Sequence, residues 1–270
     1  MNLNEIRDYY VSEGYDFLDA SSKTCQDVIL LKIAKSKLSR NVAIKGGVII
    51  QYISKDKRRA TRDFDIDFIK YSLADDSIKA FIGVLNDVDD GIEINITAPI
   101  EELSHQEYRG KRANLVLVDQ ENNKIETKLD IGVHTKLDIE QEEYCFEINS
   151  IDENVILFMN SKEQVFSEKL RSLLKLGRFS TRYKDLFDFY YFIEIAGLNK
   201  DKLKKCITDF ILEASDMREV TIEDILVRLR SIFESKDYLG KASRVRNNWL
   251  DTPMSVVTDR IESFFSNELS

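Results

Sequence analysis

The sequence predicts an α+β fold, in which a mixed β-sheet domain precedes an all-helical C-terminal domain. Up to residue 150, short apolar segments with period-two alternation are separated by polar turns, a pattern typical of strands. After Ser150 the apolar residues recur at helical spacing. The 270 residues include only 10 glycines and 2 prolines, which favours long helices over a many-turned all-β fold. The two domains are therefore predicted to span residues 1–150 and 151–270.

The same patterns predict the individual elements. Before residue 150 we predict helices over 2–19, 22–39, 48–53 and 75–88, and strands over 42–44, 63–69, 92–98, 112–118, 124–134 and 143–149. After it we predict helices over 152–176, 182–196, 199–214, 221–234 and 254–267, with a break of the first near Asn160-Ser161 left open. Gly177 and Gly197 each follow a helical run, as C-terminal caps do.

Charge and hydropathy limit the classes of function. The net charge of −9 argues against a wide nucleic-acid-binding surface. Two short stretches are nevertheless basic: Lys55–Arg62 has five bases and one acid, and Lys169–Lys184 has six bases and no acid. Such runs are usually solvated faces; the alternative is contact with a polyanion. No apolar run approaches the roughly 20 residues that span a bilayer, and the N-terminus lacks a signal-peptide core, so a cytoplasmic protein is expected.

The most specific local feature is the segment from Arg59 to Phe68. If it forms a strand, Asp63, Asp65 and Asp67 point to one face and apolar residues to the other. Carboxylates this close repel one another, and a divalent metal would relieve the repulsion. Hard oxygen ligands suit Mg²⁺, which prefers one or two carboxylates and substrate phosphates. The alternative interpretation is a solvent-facing acidic edge strand.

The surroundings of this strand favour the metal interpretation. Lys45-Gly46-Gly47 lies between a short strand and a helix, where glycine lets backbone amides approach an anion closely. Asp130, on a later strand, supplies a third carboxylate. A phosphate cradle, paired carboxylates and a further carboxylate on another strand are the parts that a nucleotidyltransferase palm needs.

Two predicted helices of the second half carry further candidates. Lys169 lies at the border of an apolar stripe, where it either extends to water or contacts nucleotide phosphates. The helix that begins at Arg182 is apolar nearly all round, yet Asp185 and Asp188 share one of its faces. Carboxylates in a buried helix must be paired or face a polar site. They either form an internal salt bridge to Arg182 or Lys184, or hold Lys169 in place.

These motifs resemble those of the AbiEii/AbiGii abortive-infection toxin family. The similar segments are Lys45-Gly46-Gly47, Arg59 to Asp65, Leu129-Asp130-Ile131, Glu168 to Leu170, and Arg182 to Asp188. The resemblance implies a nucleotidyltransferase-like fold with Asp63, Asp65, Lys169 and Asp185 as catalytic residues, and leaves open whether Asp188 is the active helix carboxylate. It implies Mg²⁺ or Mn²⁺ on Asp63, Asp65 and Asp130. It further implies a nucleotide-binding set of Lys45, Gly46, Gly47, Arg59, Thr61, Arg182 and Asp188. Asp67 is an extra acid, left as a helper or a surface carboxylate.

The resemblance also implies a function. We expect a toxin of a toxin–antitoxin, phage-defence system, with a cognate antitoxin encoded nearby. It would transfer a nucleoside monophosphate from a nucleoside triphosphate (NTP) to the 3′ end of tRNA, and high salt would weaken RNA binding steeply. The alternatives are a protein or small-molecule acceptor, which the acidic net charge favours, and a non-catalytic module that binds nucleotide or a partner.

Overall fold

The computed structural model describes residues 1–103, 110–134 and 139–269. The chain forms two compact units, Met1–Asn160 and Ser161–Ser270. The first contains a mixed sheet with helices, and the elements of the second, in the range described, are helical. The predicted α+β fold with a helical C-terminal part is confirmed.

The first unit is built around the sheet. Its helices are α1 (Leu3–Ser12), α2 (Phe17–Lys35), α3 (Gly47–Ser54) and α4 (Asp75–Asn86). Its strands are β1 (Val42–Lys45), β2 (Phe64–Phe68), β3 (Ile92–Ile96), β4 (Glu101–Leu103), β5 (Gly110–Asp119), β6 (Lys124–Val133), β7 (Glu142–Ile148) and β8 (Glu153–Met159).

The strand order in the described part of the sheet is β3-β5-β6-β2-β1-β8-β7, and β4 pairs with β5 beside β3. β2 runs parallel to β6, and β1 runs parallel to β8; the other pairs are antiparallel. Helix α2 packs against both β6 and β8, and it therefore crosses the central strands β2 and β1. Lys45 lies on β1 and Asp65 lies on β2, so these two motif residues are on central strands of the sheet.

The second unit packs its helices around a cluster of phenylalanines. The helices are α5 (Lys162–Leu176), α6 (Lys184–Tyr191), α7 (Lys200–Ile207), α8 (Ile222–Phe233), α9 (Lys236–Ala242) and α10 (Met254–Asn267). α6 and α7 each continue into a π-helical turn, at Phe192–Ala196 and Thr208–Leu212. The ring of Phe166 on α5 lies 4.9 Å from Phe189 on α6, and Phe264 and Phe265 of α10 complete the cluster.

Several predicted elements need correction. Residues 153–159 form strand β8, so the helix predicted over 152–176 is wrong there; α5 begins only after Ser161, whose hydroxyl caps it at the amide of Gln164. The break between the first two helices lies at residues 13–16 instead of 20–21, where Gly14 adopts a φ of +93°. β4 and α9 were not predicted. Gly177 and Gly197 end helical segments with positive φ, as predicted.

Candidate active site

A row of charged residues crosses the centre of the sheet on four neighbouring strands. Lys45 of β1 is the register partner of Asp65 of β2, and Asp65 is the partner of Asp130 of β6. Asp130 in turn is the partner of Arg112 of β5. Register partners share a face of the sheet, with Cβ atoms roughly 5 Å apart. The carboxylates of Asp65 and Asp130 are therefore neighbours in the row. Lys45 lies beside Asp65 at one end, and Arg112 lies beside Asp130 at the other.

Two glycines bring backbone against this row. Gly46 ends β1 with a φ of +69°, and a Cβ there would lie only 2.4 Å from Oδ2 of Asp65. A Cβ on Gly47, the first residue of α3, would lie 2.8 Å from Oγ1 of Thr61. Both approaches exclude a side chain. The turn between β1 and α3 therefore lies directly on the Asp65 carboxylate and the Thr61 side chain.

Asp67 has a different environment from Asp65. It is 5% exposed, its Oδ1 lies 2.8 Å from Nζ of Lys45, and its Oδ2 accepts a hydrogen bond from Asn160 at 3.2 Å. Its carboxylate lies over Gly132, where a Cβ would be 2.3 Å from Oδ1. Asp67 is thus a buried partner of Lys45 and not a surface carboxylate. Lys45, predicted to bind nucleotide, makes this ion pair within the sheet.

Arg112 holds Asp130 through two parallel hydrogen bonds. Nε and Nη2 of Arg112 donate to Oδ1 and Oδ2 of Asp130, both at 2.7 Å. The hydrogen bond to Asp130 raises the pKa of Arg112, and the charges of Asp130, Asp63 and Glu101 add to this shift. Asp63 therefore lies within electrostatic reach of the same guanidinium. It precedes β2 and is exposed, so the predicted strand start at Asp63 is one residue early.

The segment before β2 is fixed by two buried glutamines. Gln26 of α2 donates to the backbone carbonyl of Thr61 at 2.8 Å, and Gln51 of α3 accepts from the Thr61 amide at 3.2 Å. Arg59 is only 4% exposed, whereas Thr61 is half-buried. These contacts fix the backbone two residues before Asp63. Of the predicted nucleotide-binding pair Arg59 and Thr61, Thr61 has the more accessible side chain.

The carboxylates of this unit suit a metal that arrives with phosphates. Within the described residues, no group of three or more His, Cys, Asp or Glu side chains is placed to hold a metal ion. Both oxygens of Asp130 already accept hydrogen bonds from Arg112. Asp63, just before β2, and Asp65, within it, carry hard oxygen donors of the kind that Mg²⁺ takes together with water and phosphate oxygens. The residues fit such an ion, although not a cage of protein ligands.

In the second unit, Lys169 of α5 lies between two aspartates of α6. Its Nζ is 2.5 Å from Oδ1 of Asp185 and 3.1 Å from Oδ2 of Asp188, and the Lys169 side chain is 12% exposed. Nε1 of Trp249 donates to Oδ1 of Asp188 at 3.2 Å. Oδ2 of Asp185 is buried and, among the described residues, receives no hydrogen bond. The helix carboxylates thus hold Lys169, and one oxygen beside it is left to accept a further donor.

The basic stretches are largely paired within the chain. In Lys55–Arg62, Lys55 pairs with Glu147, Arg58 with Asp56, and Arg62 with Asp16 and Asp19. In Lys169–Lys184, Arg171 and Lys175 both pair with Asp216, while Arg182 is exposed and donates to Ser172. The two stretches therefore offer far fewer uncompensated cations than their composition indicates.

Sequence reasoning missed four side chains and one glycine that shape these clusters: Gln26, Gln51, Arg112, Trp249 and Gly132. Each contacts a residue at least ten positions away in the chain, so no local motif contains it. Arg112 carries the only partial signal, a cation in a strand otherwise rich in apolar residues. In the part of the chain that the structure describes, no helix has the length and apolar character needed to cross a membrane.

Comparison with known proteins adds a family and a fold. The family model "Nucleotidyl transferase AbiEii toxin, Type IV TA system" matches residues 28–254. MenT4, the nucleotidyltransferase toxin Rv2826c from Mycobacterium tuberculosis H37Rv, shares the fold with a TM-score of 0.55 at 13% identity, over 95% of this chain and 99% of that one. An antigenic nucleotidyltransferase-like protein from Paracoccidioides brasiliensis aligns with a TM-score of 0.48 at 18% identity, over 82% and 91% of the two chains. No curated protein matches the chain in sequence.

Proposed function

Because the chain belongs to the AbiEii family of nucleotidyltransferase toxins of type IV toxin–antitoxin systems, we propose that it transfers a nucleoside monophosphate from an NTP to the 3′ hydroxyl of tRNA. The family implies an NTP substrate and an antitoxin partner. The observation that carries the proposal is the adjacent pair Asp65 and Asp130, flanked by Lys45 and Arg112 and covered by the Gly46 turn. Both substrates are cytoplasmic molecules, so we expect the reaction there.

The reaction is an in-line displacement at phosphorus. The oxygen of the acceptor hydroxyl bonds to the α-phosphorus, the bond from that phosphorus to the bridging oxygen breaks, and pyrophosphate leaves with the electron pair while the hydroxyl proton is released. Asp63 and Asp65 would hold a divalent ion, with Asp130 as a third donor. Such an ion would neutralise charge on the phosphates. The protein's own part is to position the phosphates on the Gly46-Gly47 turn and to keep the carboxylates aligned.

We propose that Lys169 also takes part in the reaction, as a cation whose direction is set by Asp185 and Asp188. Lys169 is held between Asp185 and Asp188, so its ammonium is fixed in direction and cannot follow solvent freely. A cation fixed in this way can stabilise negative charge that develops on a phosphate. Asp185 then acts as a positioning residue, and Asp188 does so with the help of Trp249.

The first experiment identifies both substrates. Purified protein is incubated with total tRNA, Mg²⁺ and each α-³²P-labelled NTP in turn, and the products are separated on a denaturing gel. We expect a labelled tRNA band with at least one NTP, no label from the matching γ-³²P-labelled NTP, and loss of the band in Asp65→Ala. Asp76→Ala is the control, since Asp76 is an exposed carboxylate of the same unit, on α4.

A protein acceptor is the second candidate, and the pairing of the basic stretches favours it. The same labelling in a cell lysate, followed by RNase or protease, separates the two. Label that survives RNase but not protease would replace tRNA by a protein hydroxyl. The enzyme proposal is wrong if the lysate contains no labelled product before either treatment and Asp65→Ala is as toxic to cells as the parent.

A further inference from the structure

Arg178 of the second basic stretch lies beside an exposed aromatic ring. Lys169 pairs with aspartates of α6, and Arg171 and Lys175 pair with Asp216. Arg178 is exposed instead, and its Cζ lies 5.2 Å from the centroid of the Phe179 ring. Gly177 causes this placement: its φ of +55° ends α5, and the short turn Gly177–Phe179 directs the next two side chains outward.

These two side chains border a pocket within the second unit. The pocket has a volume of about 480 Å³, within the range of roughly 300–1,000 Å³ that is usual for small-ligand sites. Its lining includes Leu176, Arg178, Phe179, Arg228, Ser231 and Glu234. Two arginines and one glutamate leave an excess of one positive charge around it.

The pocket displays an aromatic ring that the fold does not bury. Phe179 is 78% exposed, and its neighbour Leu176 is 47% exposed. Other phenylalanines of this unit, such as Phe166 and Phe189, are buried in the aromatic cluster. An exposed ring beside an arginine is the arrangement on which a nucleic-acid base stacks, because every base has a π-face and the arginine attracts the phosphate.

The second arginine is held in place before any ligand binds. Nε and Nη2 of Arg228 lie 3.4 Å from the carbonyl oxygen of Leu174, one of the last carbonyls of α5. Its guanidinium also packs on Gly177, where a Cβ would be 2.7 Å from Nη2. The negative end of the α5 dipole favours this cation. Arg228 is therefore a fixed wall of the pocket, while Arg178 is free to adjust.

We propose that this pocket binds one nucleotide of a single-stranded RNA segment, with the base on Phe179 and the phosphate between Arg178 and Arg228. The inference rests on the proposed function in one respect, namely that the acceptor is RNA. It narrows the RNA contact from a sixteen-residue basic stretch to a single pocket, and it names a stacking residue that charge alone does not reveal.

The test measures binding without catalysis. A short fluorescently labelled single-stranded RNA is titrated with the full-length protein in EDTA and without NTP, and the Kd is obtained from anisotropy. Phe179→Ala is expected to raise the Kd about 5- to 100-fold, because base stacking on an aromatic side chain is lost. Arg178→Gln is expected to raise the Kd and to reduce the slope of log Kd against log salt by about 0.7.

Matched controls come from an exposed segment of the same unit. Val245 is 91% exposed and Arg246 is exposed, so Val245→Ala and Arg246→Gln remove an apolar side chain and a positive charge outside the pocket. Both are expected to leave the Kd within two-fold of the parent. Because all four substitutions are at exposed positions, thermal unfolding should confirm that each variant folds.

The outcomes separate this inference from the proposed function. If Phe179→Ala binds RNA as the parent does, or if the parent binds no RNA, the pocket is not an RNA subsite, whatever the labelling shows. If Phe179→Ala weakens RNA binding while no NTP labels RNA, the pocket inference holds and RNA is not the acceptor of the transfer reaction.

Discussion

At the scale of single residues, Gly46 is a position where the backbone conformation sets the place of a proposed catalytic carboxylate, that of Asp65. It combines a positive φ with a backbone that lies against the Asp65 carboxylate. These two properties can be separated at Gly197, which has nearly the same φ of +70°. Among the described residues, none beyond its own chain neighbours has an atom within 4 Å of its Cβ position. A pair of alanine substitutions therefore distinguishes backbone strain from displacement of the carboxylate.

We expect Gly46→Ala to reduce nucleotide transfer about 100-fold or more, since a shift of roughly 1 Å in a catalytic group has effects of that size. Gly197→Ala should lower the free energy of unfolding by about 1 kcal/mol, the same cost of backbone strain that Gly46→Ala carries. It should nevertheless transfer nucleotide at the rate of the parent. The measurements are initial labelling rates and urea unfolding. Equal losses of rate in the two variants would show that Asp65 is not placed by Gly46.

The pair Arg112 and Asp130 gives a second prediction at this scale. Asp130 is buried and has both oxygens bonded to Arg112, so removing either partner takes both of these hydrogen bonds from the other. A double-mutant cycle with Arg112→Gln and Asp130→Asn should give a coupling of about 1–3 kcal/mol in urea unfolding. The exposed pair Arg40 and Glu143 is the control, with an expected coupling of about 0–1 kcal/mol. Equal couplings would mean that Arg112 does not hold Asp130 in solution.

At the scale of secondary-structure elements, a buried polar cluster joins α1, α2 and α3. Asp27 of α2 accepts hydrogen bonds from the hydroxyls of Tyr10 on α1 and Tyr52 on α3, and it pairs with Lys23 at 2.6 Å. Nζ of Lys23 also lies 3.7 Å from the centroid of the Tyr52 ring. Burial raises the pKa of Tyr52 well above its usual value, and the charge of Asp27 adds to the shift.

This shift predicts how stability changes at alkaline pH. The folded-state pKa of Tyr52 lies above the unfolded value of 10.0, so its contribution is fully present below pH 10 and is lost as the pH rises further. Tyr52→Phe should therefore be less stable than the parent at pH 9, by about 1–2 kcal/mol for the lost hydrogen bond. The difference should shrink between pH 10 and 11 in urea unfolding. A difference that stays constant over that interval would contradict the assignment.

The elements also show where sequence patterns are informative. Strand β2 and the Lys45-Gly46-Gly47 turn were predictable, because glycine placement and strict alternation act over a few residues. β8 was not, because Val155 to Met159 is an unbroken apolar run that periodicity alone cannot assign to strand or helix. In the structure the run alternates: Val155, Leu157 and Met159 are buried, and Ile156 is 64% exposed. Its parallel pairing with β1 is a contact that local sequence does not encode.

The candidate site divides in the same way. The carboxylates Asp65 and Asp130 could be named from their motifs, and the topology then placed them side by side. The partner of Asp130 could not be named, since Arg112 reaches it only through the register of β5 with β6. Trp249 belongs to no motif; it is buried and donates to Asp188, 61 positions earlier in the chain.

At the scale of the whole molecule, the net charge of −9 and the paired bases limit how RNA can bind. Sequence composition led to the expectation of a steep dependence on salt. Since most bases of the two stretches already pair with carboxylates, we expect few counterions to be released, and a slope of log Kd against log salt of about 1–2 for single-stranded RNA. Anisotropy titrations between 50 and 300 mM KCl, roughly the range in which such slopes are measured, give this value. A slope above about 5 would mean that the ion pairs open to bind RNA.

Gly46, Gly47 and Gly132, which pack against side chains of the candidate site, have a genetic consequence. Any missense mutation in one of these codons adds at least a Cβ, which would meet Asp65, Thr61 or Asp67 at 2.8 Å or less. Among cells that express this protein without its antitoxin, survivors should therefore carry replacements at these glycines as often as at the carboxylates.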